Sequence, residues 1–315
     1  MSNIASVTRN DVLAAAHRIA GSVERTPLIE ARIGGRTVWL KCESLQTGGA
    51  FKLRGASNRL LQLDEEERRR GVVAFSSGNH AQGVAIAANR LGIRATIVMP
   101  GDAPALKVEG TRAQGAEIIF FDRSTESREE IAARIASETG ATVVPSFDDV
   151  HIVAGQGTVG LEILDQLGRV PAQILVNCGG GGLSSGIALA CDQSAVITVE
   201  PEGWDDMRRS LELGQIVPVE PGPPPTLCDA LQTLRVSPIT FAILKARGAR
   251  GVAVSEEETV AAIRWAWHEH GLTVEPGGAV SLAALLAGKI EVIPETVAVL
   301  SGGNIDPALH ARLVG

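Results

Sequence analysis

The chain has 315 residues, of which 45% are hydrophobic and 21% charged, and its formal net charge is -7. That length supports a large core and two domains, while an acidic balance without a dense basic run excludes binding to a nucleic-acid backbone. No apolar stretch is long enough for a membrane span and the start lacks a signal-peptide layout. The four cysteines are far apart without metal-type spacing, so buried free thiols of a cytoplasmic protein are expected.

In chain order, residues 10–21 read as an amphipathic helix and Val38–Cys42 as a strand. Gly48-Gly49 then feeds a helix start, with Lys52 in its first turn between Phe51 and Leu53. Apolar neighbours and the positive end of a helix dipole both disfavour an ammonium, so this lysine is expected to titrate low and serve as an amine nucleophile. Taken alone, it does not stand out from an ordinary surface lysine whose stem lies along apolar surface; the case rests on three other segments. Arg68-Arg69-Arg70 follows Glu65-Glu66-Glu67 and reads as the solvated end of a helix. Strands predicted at 72–75, 95–98, 117–120 and 142–144 alternate with helices near 79–91, 104–114, 125–138 and 156–167, with Gly92, Gly115 and Gly140 at helix stops.

The rhythm resumes with a strand at 173–177, a helix from 183 and a strand at 196–199. Pro221–Pro225 marks a loop, Ser255 and Glu258 form a capping box for a helix ending at Gly271, and Thr296–Leu300 is the last strand. Short apolar strands separated by helices imply parallel sheets with right-handed crossovers. The expected fold class is α/β with two domains, each a mostly parallel open twisted sheet flanked by helices, and an active site in the cleft between them.

Three further segments carry chemistry. Gly179-Gly180-Gly181-Gly182 follows a strand and opens a helix, so its backbone N–H groups can close around a phosphate. The spacings of dinucleotide and P-loop motifs are absent, and a tight strand–helix turn is the plainer alternative. Ser76-Ser77-Gly78-Asn79-His80 also opens a helix; its hydroxyls and N–H groups suit a carboxylate, and Asn79 can donate to a ring oxygen, with simple N-capping as the alternative. Ser301, at another strand's end, can hydrogen-bond a heteroaromatic nitrogen. An amine, a phosphate loop and small polar groups at strand ends together point to pyridoxal 5′-phosphate.

On these motifs, and on Arg25-Thr26-Pro27-Leu28, Ala154–Thr158 and Ser301-Gly302-Gly303-Asn304, the chain resembles the fold-type II pyridoxal-phosphate enzymes. Within that tryptophan-synthase β-like family the likeness is to the serine/threonine dehydratase and serine racemase branch, nearly end to end. The resemblance implies a large cofactor-binding domain of residues 1–49 and 145–315 and a small mobile domain of residues 50–144. It implies that Lys52 holds the cofactor as an imine and acts as the base at the substrate α-carbon, with Phe51 near the ring. By the same likeness Asn79 contacts the ring hydroxyl, Gly179 to Gly182 hold the phosphate, Ser301 faces the pyridine nitrogen, and Ser76, Ser77, Asn79 and His80 surround the substrate carboxylate. Arg128 matches a substrate-side arginine of the racemase branch, against the plainer reading of a solvated helix arginine.

Glu200, the Trp204 carbonyl and Asp206 resemble the branch's divalent-cation loop, whose oxygen ligands suit Mg²⁺, Ca²⁺ or Mn²⁺; an acidic surface loop is the alternative. His268 and His270 are two apart on one helix and make no metal pair. The implied activity is β-elimination of a small β-hydroxy amino acid such as L-serine or L-threonine to a 2-oxo acid and ammonia. Ser77 stands where dedicated threonine dehydratases of the family carry alanine, so racemisation and 3-hydroxyaspartate dehydration remain open. A non-catalytic cofactor- or ligand-binding protein is the alternative of a different class. Thr226–Thr233 departs from the family's T-I-A-D-G pattern, which opens substrate identity; Arg128, His151 and Arg235 are candidate cations for a second carboxylate. A homodimer is expected, as is the lack of a C-terminal regulatory domain.

Overall fold

The computed structural model describes residues 7–103 and 105–315. Thr8 and Asp11 cap each other reciprocally to start α1 (Arg9–Arg18), shorter than the expected 10–21. β1 (Leu28–Ile33) and β2 (Arg36–Cys42) form a hairpin closed by Gly34-Gly35, whose φ values of 57° and 79° are those a two-residue turn demands. β1 was not anticipated, because its mostly half-buried residues lack strict alternation.

α2 (Lys52–Leu60) begins at the lysine, and α3 (Glu65–Arg70) carries an Asp64/Glu67 capping box with its arginines in the last turn. There follow β3 (Val72–Phe75), α4 (Asn79–Leu91), β4 (Ala95–Pro100), α5 (Ala105–Arg112), β5 (Glu117–Phe121), α6 (Arg128–Thr139) and β6 (Thr142–Val143). The expected helix start at residue 104 lies outside the described residues. α4 and α6 end on left-handed Gly92 and Gly140.

α7 (Val150–Leu167) starts a turn and a half before the expected residue 156, because Asp149 accepts from the His151 and Ile152 amides and so sets an earlier cap. The chain continues through β7 (Gln173–Asn177), α8 (Gly182–Ala190), β8 (Ala195–Pro201), α9 (Asp206–Leu213), α10 (Pro238–Ala246) and β9 (Arg250–Val254). It closes with α11 (Glu256–His270), α12 (Pro276–Leu286), β10 (Thr296–Leu300) and α13 (Pro307–Val314). The Ser255/Glu258 box caps α11 and left-handed Gly271 ends it.

Two sheets result. One has the order β1-β2-β10-β7-β8-β9, all parallel except the β1/β2 hairpin; the other has the parallel order β5-β4-β3-β6. β7 and β10 are buried throughout, and apolar clusters cover both faces of the larger sheet. All four cysteines are buried free thiols, and burial pushes Cys42, Cys191 and Cys228 up to about 12.

α7 joins the parts that matter for Lys52. It packs on α2 and on α8 at glycine seams, where a Cβ on Gly155 would lie 2.6 Å from Gly55 Cα and one on Gly157 2.7 Å from the Gly186 carbonyl. Beside the first seam, fully buried Arg54 donates to both Glu43 oxygens at 2.7 and 2.8 Å and to Glu162 at 2.6 and 3.0 Å. Buried Lys41 donates to Glu162 at 2.6 Å, to Gln166 at 3.0 Å and to the Thr26 carbonyl at 2.7 Å. This network ties the first turn of α2 to the end of β2 and to α7. Arg54→Met, which leaves Glu43 without its partner in the core, is expected to cost about 3–5 kcal/mol, measured by urea denaturation with the cofactor-free protein.

Candidate active site

A cavity of about 240 Å³ opens where the carboxyl ends of β3, β7 and β10 face one another, the position in which open α/β sheets bind ligands. Its lining includes Phe51, Lys52, Ser76, Ser77, Asn79, His80, Gly179 to Gly182 and Ser301. Four separate segments of sequence thus converge on one space. Arg128 does not line it: its Nε bonds Glu129 at 2.9 Å and its guanidinium lies 5.6 Å from the Phe75 ring centroid.

Lys52 is the first residue of α2, and its Nζ donates to the Ser146 carbonyl at 3.0 Å and sits 5.1 Å from the Phe51 ring centroid. Burial pulls its ammonium down to about 8, with the Glu275 carboxylate acting in the opposite direction. Above that value the amine is neutral and able to attack an aldehyde.

α8 opens at Gly181, with φ 86° and no side-chain cap, so backbone donors at the helix start are left for an anion. Thr240 Oγ1 occupies the Gly180 carbonyl at 2.8 Å. No side chain fits here: a Cβ on Gly180 would lie 2.3 Å from the Phe147 ring, and one on Gly181 2.7 Å from Met207.

Asn79, the first residue of α4, is held from two sides. Its Nδ2 donates to Glu275 Oε1 at 2.6 Å, and its Oδ1 accepts from Asn304 Nδ2 at 2.8 Å. Its second amide hydrogen remains for a ligand. Burial raises the Glu275 carboxyl to about 7. Gly302 must be glycine, since a Cβ there would lie 2.1 Å from Glu275 Oε1. The 301–304 segment also holds the segment leading to Lys52, through Phe51 N to the Ser301 carbonyl at 3.2 Å and Gly303 N to the Gly49 carbonyl at 2.8 Å.

His80 is a neutral imidazole, because burial and the Lys52 charge depress its pKa to about 3. Its Nε2 bonds the Val144 carbonyl at 2.8 Å and its buried Nδ1 has no protein partner. With Nε2 donating to that carbonyl, the ring presents Nδ1 as an acceptor and brings no positive charge to the cavity. Gly78 caps α4 without a side-chain bond, which leaves donors of that helix start toward the cavity.

Sequence reasoning missed Glu275, Lys107 and Arg123, and reached Asp229 only as part of the Thr226–Thr233 segment; all four line the cavity. A signal for Glu275 existed: the one charged residue in the run Leu272–Leu286, directly before Pro276 at a helix start. For Lys107 and Arg123 no local pattern distinguishes them from surface charges.

The second group of predicted ligands lies elsewhere. Glu200 accepts from the Met207 and Arg208 amides at 2.9 and 2.8 Å, and Asp206 Oδ2 from the Val236 amide at 2.8 Å. Burial first, then the charge of Asp206, pushes the Glu200 carboxyl well up; burial raises Asp206 to about 7. Asp206 Oδ1 is buried without a hydrogen-bond partner. The Trp204 indole donates to the Pro224 carbonyl at 2.8 Å.

The amine, the uncapped glycine loop and the Ser301 hydroxyl match the aldehyde, phosphate and ring nitrogen of pyridoxal phosphate. The comparisons agree. A family model described as "Pyridoxal-phosphate dependent enzyme" matches residues 19–302. An L-threo-3-hydroxyaspartate ammonia-lyase from a Pseudomonas species is 42% identical over 97% of this chain and 98% of its own. An L-threonine ammonia-lyase from Thermotoga maritima is 42% identical over 98% of this chain and 78% of its own. The solved structure of maize serine racemase superposes with a TM-score of 0.92 at 36% identity, covering 98% of this chain and 96% of that one.

The rate at which cofactor-free protein takes up pyridoxal phosphate is expected to rise with pH and level off above about 8, followed by the growth of the visible-edge absorbance. A rate still rising at pH ~10, as for an ordinary lysine, contradicts the assigned environment.

Proposed function

The chain belongs to the family of pyridoxal-phosphate dependent enzymes, and on that footing we propose that it catalyses β-elimination of a small β-hydroxy amino acid to a 2-oxo acid and ammonia. The coarser class, pyridoxal-phosphate-dependent β-elimination or racemisation of small amino acids, is common to its relatives. The observation that carries the proposal is the depressed Lys52 amine in one cavity with the uncapped starts of α4 and α8.

Bound through Lys52, pyridoxal phosphate supplies an electron sink for charge developing at the substrate α-carbon. The chain's residues do the rest. The amides and hydroxyls of Ser76, Ser77 and Asn79 at the start of α4 receive the substrate carboxylate and orient the α-hydrogen. The freed Lys52 amine, neutral near its working pH, removes that proton. Asn79, fixed by Glu275 and Asn304, spends its remaining hydrogen on the cofactor's ring oxygen. Ser301, a neutral hydroxyl, would face the ring nitrogen and leave it unprotonated; the weaker sink would favour loss of the β-hydroxyl, protonated to leave as water, over reprotonation of the α-carbon.

Racemisation is the second reading, favoured by the Ser77 hydroxyl in the cavity lining, from which a proton can be delivered on the face opposite Lys52. Glu200, the Trp204 carbonyl and Asp206 would hold a Mg²⁺, Ca²⁺ or Mn²⁺ ion; two raised, buried carboxyls and the orphaned Asp206 Oδ1 fit a hard cation. Such an ion acts on stability, being outside the cavity lining. The division into residues 1–49 with 145–315 and a mobile 50–144, and a homodimer, belong to the same proposal; the confinement of the second sheet to residues 72–143 supports the division.

The deciding experiment offers L-serine, D-serine, L-threonine and the 3-hydroxyaspartates to the holoenzyme and scores 2-oxo acid and enantiomer. Lys52→Ala is expected to lose the visible-edge band and at least ~10²-fold of elimination; a variant that still eliminates water removes the lysine from its role, and a holoprotein without that band leaves only a ligand-binding protein. Ser77→Ala is expected to lower racemisation relative to L-serine elimination by at least ~10²-fold; an equal fall in both refutes the assigned face. Mg²⁺ is expected to raise the thermal midpoint of the parent and not that of Asp206→Asn.

A further inference from the structure

With Lys52, the glycine loop and the α4 start assigned, two cations lining the cavity are left over: Lys107 on α5 and Arg123, just after β5. Neither is called for by pyridoxal phosphate or by the single carboxylate of serine or threonine. Lys107 is paired with Asp229, which lies in a short 3₁₀ turn between α9 and α10, so the pair crosses the cavity from one sheet's elements to the other's. The two partners differ in exposure: 19% for the lysine side chain and 52% for the aspartate. Arg123 bonds Asp102 at 2.9 Å, and both of those side chains are more than half exposed. Both Asp229 and Lys107 perturb the buried Glu275 carboxyl that holds Asn79, so they act within electrostatic range of the reacting groups.

We infer that Lys107, assisted by Arg123, receives a second carboxylate carried on the substrate's β-carbon, so that the site is built for a dicarboxylic β-hydroxy amino acid of the 3-hydroxyaspartate class. The inference rests on the β-eliminating reading of the site. Binding is an exchange of partners. The substrate carboxylate takes the place of Asp229 on the Lys107 ammonium, and Asp229, already half in solvent, turns outward. No proton moves and the charge count is unchanged.

The direction of the exchange follows from burial. An ion pair whose carboxylate is exposed is worth little, so Asp229 and Asp102 are released cheaply. The largely enclosed ammonium, by contrast, needs a carboxylate partner wherever it stays. A monocarboxylic substrate leaves the Lys107–Asp229 pair in place and gains nothing from it. Arg128, His151 and Arg235, the cations suggested by sequence, do not line the cavity; Lys107 and Arg123 do.

The test uses holoenzyme carrying Lys107→Met, Lys107→Arg or Arg123→Gln. Two quantities are compared: kcat/KM for L-threo-3-hydroxyaspartate over that for L-serine, and the calorimetric affinity for L-aspartate over that for L-alanine. L-Aspartate has both carboxylates and no leaving group. Lys107→Met is expected to lower the first ratio about 30-fold, mainly through KM, and to erase the preference for L-aspartate. Arg123→Gln lowers it by about 5-fold, and Lys107→Arg keeps most of the preference, which also covers the case in which the methionine variant does not fold.

Equal losses for both substrates, or a parent protein indifferent between L-aspartate and L-alanine, overturn the inference. The two readings separate cleanly. A Lys107-dependent preference for L-aspartate without elimination from any hydroxy amino acid sinks the proposed reaction and keeps the carboxylate receptor. Serine elimination with indifferent aspartate binding does the reverse.

Discussion

The position of Lys52 depends on Arg54, two residues further along α2. A guanidinium with no exposed surface would be ruinous in a core by itself; here Glu43 and Glu162 take its donors, and Lys41 takes the remaining charge of Glu162. Three elements of different origin, the end of β2, the first turn of α2 and the middle of α7, meet at that group. Because the network needs all its members, the helix start has one register, and the amine of Lys52 has one place to point.

The same burial that makes this network necessary sets the chemistry next to it. Lys52 is drawn down, Glu275 is drawn up and His80 is held neutral, and desolvation is the largest cause in each case. With these groups pushed toward their uncharged forms, the uncapped starts of α4 and α8 offer fixed positive fields to an anion, and Lys107 and Arg123 add full charges elsewhere in the lining. Glu200 and Asp206 show the same pressure, burial being the largest cause of the rise in both carboxyls.

Much of this was legible from residues alone. The glycine run, the Ser76–His80 segment, Ser301 and the Gly48–Lys52 approach each carry their meaning within a few positions, and each contributes residues to the lining of one cavity. Helix ends at Gly92, Gly140 and Gly271 were legible for the same local reason. The half-exposed outer strands β1 and β9 were not, since strands at a sheet's margin need neither a long apolar run nor clean alternation. The start of α7 was missed because a single Asp149 cap moved it to residue 150.

The reactive parts and their local settings follow from neighbouring residues, because an amine at a helix start or a glycine loop after a strand is defined within a few positions. Which polar groups face one another across the site follows from the fold. Glu275 meets Asn79 across 196 positions of chain and Lys107 meets Asp229 across 122. Neither pairing has a local signature, because charge interactions act through space and the fold alone sets those distances.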